Sequence, residues 1–76
     1  MNRILEILQG IRPEFDFEAS DNYIEDGMLD SFDVISLVTE LEQAFGITID
    51  GLDILPENFA GLDCIEALVV KSGGTL

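Results

Sequence analysis

Residues 30–46, DSFDVISLVTELEQAFG, carry the clearest structural signal in this sequence of 76 residues. Apolar side chains recur there at spacings of three and four, which places them on one face of an α-helix: Val34, Val38, Leu41 and Phe45. Asp30 is a favourable N-cap residue, Asp33 suits the positive N-terminal end, and Gly46 can end the helix in a left-handed conformation. The stretch therefore predicts a capped amphipathic helix.

Shorter helices are predicted on both sides of this stretch. The first has an apolar face at Ile4, Ile7, Leu8 and Ile11, and we expect Gly10 and Pro13 to end it. A single helical turn can begin at Pro56, and the last helix should begin at Asp63, with Glu66 completing a capping box. The sequence predicts an all-α fold, a small four-helix bundle whose third helix is a short turn, in one domain over residues 1–76.

The segment between the first two helices lacks periodicity. Aromatic residues lie among its acids at Phe15, Phe17 and Tyr23, followed by Ile24 and Met28. We interpret it as a long loop held to the core by its aromatic side chains. A loop of this length in a small domain suggests a function for it.

Charge excludes several classes of function. The chain has 16 acidic and 3 basic residues, a net charge of −13, with no basic residue between Pro13 and Val70. Nucleic acids and anionic membrane surfaces are therefore not expected as ligands, and a partner protein should be basic. With one cysteine, no apolar run long enough to span a membrane and no visible signal peptide, we expect a cytoplasmic monomer.

Catalysis and metal binding are not expected either. The chain has no histidine, and Cys64 has no neighbouring base, so we interpret it as a buried packing cysteine and predict no enzymatic activity. A calcium loop aligned on Gly27 would place Ile24 at a ligand position, where it cannot coordinate the ion. A calcium sensor is thus a weak alternative, and we predict no metal site.

Ser31 remains as a chemically interesting residue. It lies in the first turn of the second helix, where backbone amides and the helix dipole favour an anion. A phosphate on its hydroxyl would have an apolar collar formed by Met28, Leu29 and Phe32. Asp-Ser at a helix start is also ordinary capping chemistry, so these residues alone leave both interpretations open.

The wider pattern from Ile24 to Ile47 resembles the phosphopantetheine-attachment region of acyl carrier proteins. The matching residues are Asp26, Gly27, Leu29, Asp30, Ser31, Phe32, Asp33, Val34, Ile35, Leu37, Val38, Leu41, Glu42, Phe45, Gly46, Ile47 and Ile49. Ile4 to Leu8, the turn at Pro56 to Phe59 and the last helix also fit the layout of that family. The resemblance therefore spans nearly the whole chain and implies a four-helix bundle of the acyl-carrier type.

The resemblance implies that Ser31 receives 4′-phosphopantetheine from coenzyme A through a phosphopantetheinyl transferase. Asp30 and Phe32 would flank the cofactor. The arm would hold a fatty acyl, polyketide or aminoacyl group as a thioester. A loading ligase would add this cargo, and downstream transferases with basic patches would receive it. The residues implied to contact these enzymes are Leu29, Asp33, Ser36 and Glu40.

Three positions depart from the usual fatty-acid carrier pattern. Gly27 lies four residues before Ser31 instead of three, Phe32 replaces a leucine, and Ser36 replaces an acid. This arrangement is closer to D-alanyl and other free-standing aminoacyl or specialised carriers.

The alternative function is an unmodified acidic helical module that binds a basic partner protein.

Overall fold

The computed structural model describes residues 3–75, and over this range the chain is helical without β-strands. It contains three α-helices, α1 (Arg3–Ile11), α2 (Ser31–Phe45) and α3 (Leu62–Lys71), and shorter 3₁₀ helices at Phe17–Ala19, Gly51–Asp53 and Pro56–Phe59. The all-α prediction is confirmed. The predicted count of four helices is not confirmed, because the turn that begins at Pro56 is a 3₁₀ helix and only three α-helices are present over residues 3–75.

The core forms where the three helices meet. α1 packs against both α2 and α3, and α3 packs on the 3₁₀ helix Pro56–Phe59. The most completely buried side chains come from every part of the fold: Ile4, Leu8, Phe17, Tyr23, Leu37, Leu41, Phe59, Ile65 and Val69. Burial of these apolar surfaces is the main force that stabilises so small a chain.

The caps of α2 agree with the sequence prediction. Asp30 is the N-cap in extended conformation, and its side chain accepts a hydrogen bond from the Asp33 amide. Gly46 has φ of 63° and donates its backbone N–H to the Glu42 carbonyl. A left-handed conformation at this position favours glycine, so the helix ends where the sequence indicates.

The ends of the shorter helices differ from the predictions. Gly10 lies within α1, which continues to Ile11, and the Arg12 amide still donates to the Leu8 carbonyl at 2.9 Å. α3 begins at Leu62 with Gly61 as N-cap, so Asp63 is not its cap. Gly61 has no side chain, so the N-cap residue accepts no amide of this helix through a side chain.

The long loop is fixed by its aromatic residues, as predicted. The rings of Phe17 and Tyr23 meet edge to face, with centroids 5.0 Å apart, and both residues are buried. The Tyr23 amide donates to the Ala60 carbonyl at 2.7 Å, and the Tyr23 carbonyl accepts from the Met28 amide at 2.9 Å. Tyr23 thus joins the loop to the start of α3.

Replacing Tyr23 with alanine tests this connection. The variant loses a buried ring that packs edge to face on Phe17, so the free energy of unfolding in urea should fall by about 3 to 5 kcal/mol. Phe15→Ala is the control, because the Phe15 ring belongs to the same loop but is only partly buried. A loss no larger than that of Phe15→Ala would show that Tyr23 does not hold the loop to the core.

Candidate functional site

Ser31 is the first residue of α2, and it is exposed. The other serines lie in different settings: Ser20 bonds to Asp26 in the loop, Ser36 is further along α2, and Ser72 follows α3. The start of a helix has amides without helical acceptors and the positive end of the helix dipole. Ser31 is therefore the serine whose hydroxyl is best placed to carry a negatively charged group.

The residues on either side of Ser31 form a reciprocal capping box. Asp30 Oδ1 accepts from the Asp33 amide at 2.9 Å, and Asp33 Oδ2 accepts from the Asp30 amide at 3.1 Å. The hydrogen bond from the Asp33 amide is the main reason that the pKa of Asp30 is lowered, with help from the nearby Arg12 charge. The backbone around Ser31 is thus fixed by two carboxylates.

Arg12 connects this box to the end of α1. Its Nε donates to Asp33 Oδ2 at 2.8 Å, and its terminal nitrogens lie 3.4 Å from carboxylate oxygens of Asp30 and Glu14. The hydrogen bond to Asp33 raises the pKa of the guanidinium further above its already high ordinary value. Arg12 is therefore charged throughout the working pH range.

An apolar groove of about 420 Å³ lies beside Ser31. It is lined by Ile24, Leu29, Asp30, Ser31, Val34, Ile35, Ile54 and Pro56. Ile35, which lines the groove, and Phe32, which follows Ser31 in the chain, are 61% and 79% exposed, although both are large and apolar. Large exposed apolar side chains that cluster around a groove are typical of interaction sites.

The structure brings some of the predicted site residues together and removes others from the surface. Asp30 and Phe32 flank Ser31, and Ser36 and Glu40 are exposed on α2. Leu29 and Asp33, which we expected to contact partners, are only 3% and 9% exposed. Leu29 packs into the core and lines the groove, and Asp33 binds Arg12, so little of either side chain is exposed.

Cys64 also differs from its prediction. It is exposed in α3 instead of being buried, because the buried face of that helix is formed by Ile65, Leu68 and Val69. The exposed cysteine does not approach the groove beside Ser31, whose lining it does not share.

Sequence reasoning missed Arg12 and the contribution of the segment before α3. Arg12 was detectable, since it is the cation that immediately precedes the stretch without basic residues from Pro13 to Val70. Ile54 and Pro56 could not be predicted, because they are far from Ser31 in the sequence and line the groove only in the folded chain.

Comparison with known proteins identifies the family. A sequence model of the family described as phosphopantetheine attachment site matches residues 2–69. The chain belongs to this family. Its members carry 4′-phosphopantetheine covalently on a serine, and these carrier domains catalyse no reaction themselves. They interact with phosphopantetheinyl transferases and with other enzymes.

Other comparisons were negative. No curated protein and no solved structure matches the chain significantly. Within residues 3–75, no group of three or more histidine, cysteine or acidic side chains could hold a metal ion. None of the helices described over the same range is both long and apolar enough to cross a membrane.

The lowered pKa of Asp30 predicts how pH acts on the carrier site. A carboxylate with a folded pKa below its unfolded value of 3.8 stabilises the fold above that pH and loses this effect as pH falls through the folded pKa. Asp30→Asn keeps an acceptor for the Asp33 amide but does not titrate. We therefore expect wild type to lose stability relative to Asp30→Asn as pH falls below 3.8.

Urea unfolding of both proteins between pH 7 and pH 2.5 measures this difference. Protonation of the other acids reduces charge repulsion in both proteins as pH falls. This shared effect cancels when the two free energies of unfolding are subtracted. A constant difference in the free energy of unfolding across the whole range would contradict the role of the Asp30 carboxylate.

Proposed function

We propose that Ser31 is the phosphopantetheine attachment residue of this carrier. The observation that supports it best is the exposed serine at the first position of α2, inside the segment matched by the family. In the reaction, Ser31 Oγ forms a phosphoester bond with the pantetheine phosphate of coenzyme A. The pyrophosphate bond breaks, 3′,5′-ADP leaves, and the hydroxyl proton passes to the phosphopantetheinyl transferase.

The surroundings of Ser31 fit this group. The phosphodiester would lie at the positive end of the α2 dipole, which partly offsets its charge. Ser31 lines the apolar groove together with Ile24, Val34, Ile35 and Ile54, so the arm or its cargo can contact this groove. Asp30 and Phe32 flank the attachment point, as the resemblance implies.

The cargo that we propose is a short acyl or aminoacyl group held as a thioester, of the type carried by free-standing D-alanyl, aminoacyl or specialised carriers. The sequence departures at Gly27, Phe32 and Ser36 support this type. The core supports it as well, because Phe17, Tyr23 and Phe59 fill the centre of the bundle. A short cargo can remain in the outer groove and leave this packing undisturbed.

Partner enzymes would approach along one face of α2. Phe32, Ser36 and Glu40 are four residues apart, so they form a stripe on this helix, and all are exposed. The stripe starts beside Ser31 with the phenyl ring of Phe32 and continues with the hydroxyl of Ser36 and the carboxylate of Glu40. We propose that it meets a partner with an apolar contact and a basic rim, such as a loading ligase or a downstream transferase.

Incubation with coenzyme A, Mg²⁺ and a broad-specificity phosphopantetheinyl transferase tests the attachment site. Intact-mass spectrometry should show one added phosphopantetheine on wild type, on Ser20→Ala and on Ser36→Ala, and none on Ser31→Ala. Modification of Ser31→Ala would show that another residue carries the phosphopantetheine. An unmodified wild type that still binds a basic partner in a salt-sensitive manner would instead favour the acidic interaction module.

Glu40→Lys tests the docking stripe. The charge reversal should lower kcat/KM for modification a few-fold at low salt, and added salt should reduce the effect because it screens exposed charges. Asp63→Lys on α3 is the matched control, since Asp63 is also an exposed helical acid. Equal losses in the two variants would mean that only total charge matters and that the stripe is not a docking face.

A further inference from the structure

The capping box of α2 contains two carboxylates over one helix end. Capping boxes usually pair a neutral serine or threonine with one acid, so they introduce a single charge. Here Asp30 and Asp33 each accept the other's backbone amide, at 2.9 and 3.1 Å. The α2 dipole supplies only about half a positive charge at its N-terminus, which cannot offset two negative charges.

Arg12 supplies the missing positive charge. One guanidinium contacts both carboxylates, with Nε 2.8 Å from Asp33 Oδ2 and a terminal nitrogen 3.4 Å from Asp30 Oδ2. The planar fork of arginine makes two such contacts possible at once. Because Asp33 is only 9% exposed, water cannot readily replace the arginine as its partner.

The backbone of Arg12 is itself held in place. Its amide donates to the Leu8 carbonyl at 2.9 Å, which extends the hydrogen bonding of α1 by one residue. The contact with Asp33 spans 21 residues of sequence. The end of α1 and the start of α2 are therefore linked directly through the residues that surround Ser31.

We propose that Arg12 is a positioning residue for the modification of Ser31. By compensating the Asp30 and Asp33 charges, it keeps the first turn of α2 closed and the Ser31 hydroxyl in a fixed position. It also offsets part of the charge that the phosphodiester adds beside the two carboxylates. This inference rests on the proposed attachment at Ser31.

Arg12→Gln is the primary variant, and Lys71→Gln is its matched control. Both remove one positive charge from an ion pair, since Lys71 lies 2.7 Å from Asp53 Oδ1 on a part of the surface that does not line the Ser31 groove. Both proteins are assayed with coenzyme A and the transferase at equal ionic strength. We expect Arg12→Gln to lower kcat by about tenfold with a smaller change in KM, because the nucleophile is misplaced while Ser36 and Glu40 of the docking stripe lie beyond the first turn and stay in place. Lys71→Gln should react like wild type.

A rescue experiment separates charge compensation from a general structural effect. In Arg12→Gln with Asp33→Asn, the asparagine oxygen can still accept the Asp30 amide, but the box has a single charge. This double variant should be modified faster than Arg12→Gln alone. Equal rates for Arg12→Gln and Lys71→Gln would overturn the proposal, as would a slow Arg12→Gln that Asp33→Asn does not restore.

Circular dichroism of each variant is recorded before the assay. If Arg12→Gln does not fold, the double variant decides: we expect it to fold and to be modified, and an unfolded double variant would contradict charge compensation.

Failure of the attachment site itself has a different signature. If wild type is unmodified, or if Ser31→Ala is modified, the proposed function is wrong. Amide exchange at Asp33 still tests the role of Arg12 in that case, because it reports closure of the box without any modification. Unchanged exchange in Arg12→Gln would then show that Arg12 does not hold the box.

Discussion

The ionic cluster of Arg12, Asp30 and Asp33 is the constraint on which the candidate site depends. It closes the first turn of α2, and it links that turn to the end of α1 over 21 residues of sequence. The chain has a net charge of −13, so the repulsion between neighbouring carboxylates is large. Arg12 reduces this repulsion where Asp30 and Asp33 lie together. The position of Ser31 follows from this cluster, because Ser31 lies between its two carboxylates.

The long loop and the bundle depend on each other through aromatic packing. Phe17 and Tyr23 are buried between the loop and the helices, and the Tyr23 amide donates to the Ala60 carbonyl at 2.7 Å just before α3. The loop therefore supplies both core volume and a backbone link to the start of α3. A small domain gains stability when one buried residue serves two elements, since it has few core positions.

The acidic side chains differ in what they contact, so their positions matter as well as the net charge. Asp30 and Asp33 pair with Arg12, whereas Glu40 is exposed further along α2, the helix that also carries the exposed apolar side chains of Phe32 and Ile35. Membership of the phosphopantetheine attachment family explains why a chain without catalytic chemistry has such a surface. A carrier is recognised by other enzymes, and an apolar contact with a charged rim favours rapid, reversible encounters.

The sequence alone predicted α2, its Asp30 and Gly46 caps and the loop aromatics that reach the core, whereas Ser31 was selected by the resemblance of the wider pattern to acyl carrier proteins. The helix and its caps follow from local propensity, periodicity and short motifs, which depend on neighbouring residues only. Tertiary structure decided which acids are free to meet a partner, since Asp33 is turned toward Arg12 and Leu29 into the core. It also decided that Cys64 is exposed, that the Tyr23 amide binds the Ala60 carbonyl next to α3, and that Ile54 and Pro56 complete the groove beside Ser31. Each of these depends on contacts between residues far apart in the chain, and periodicity along one segment does not specify such contacts.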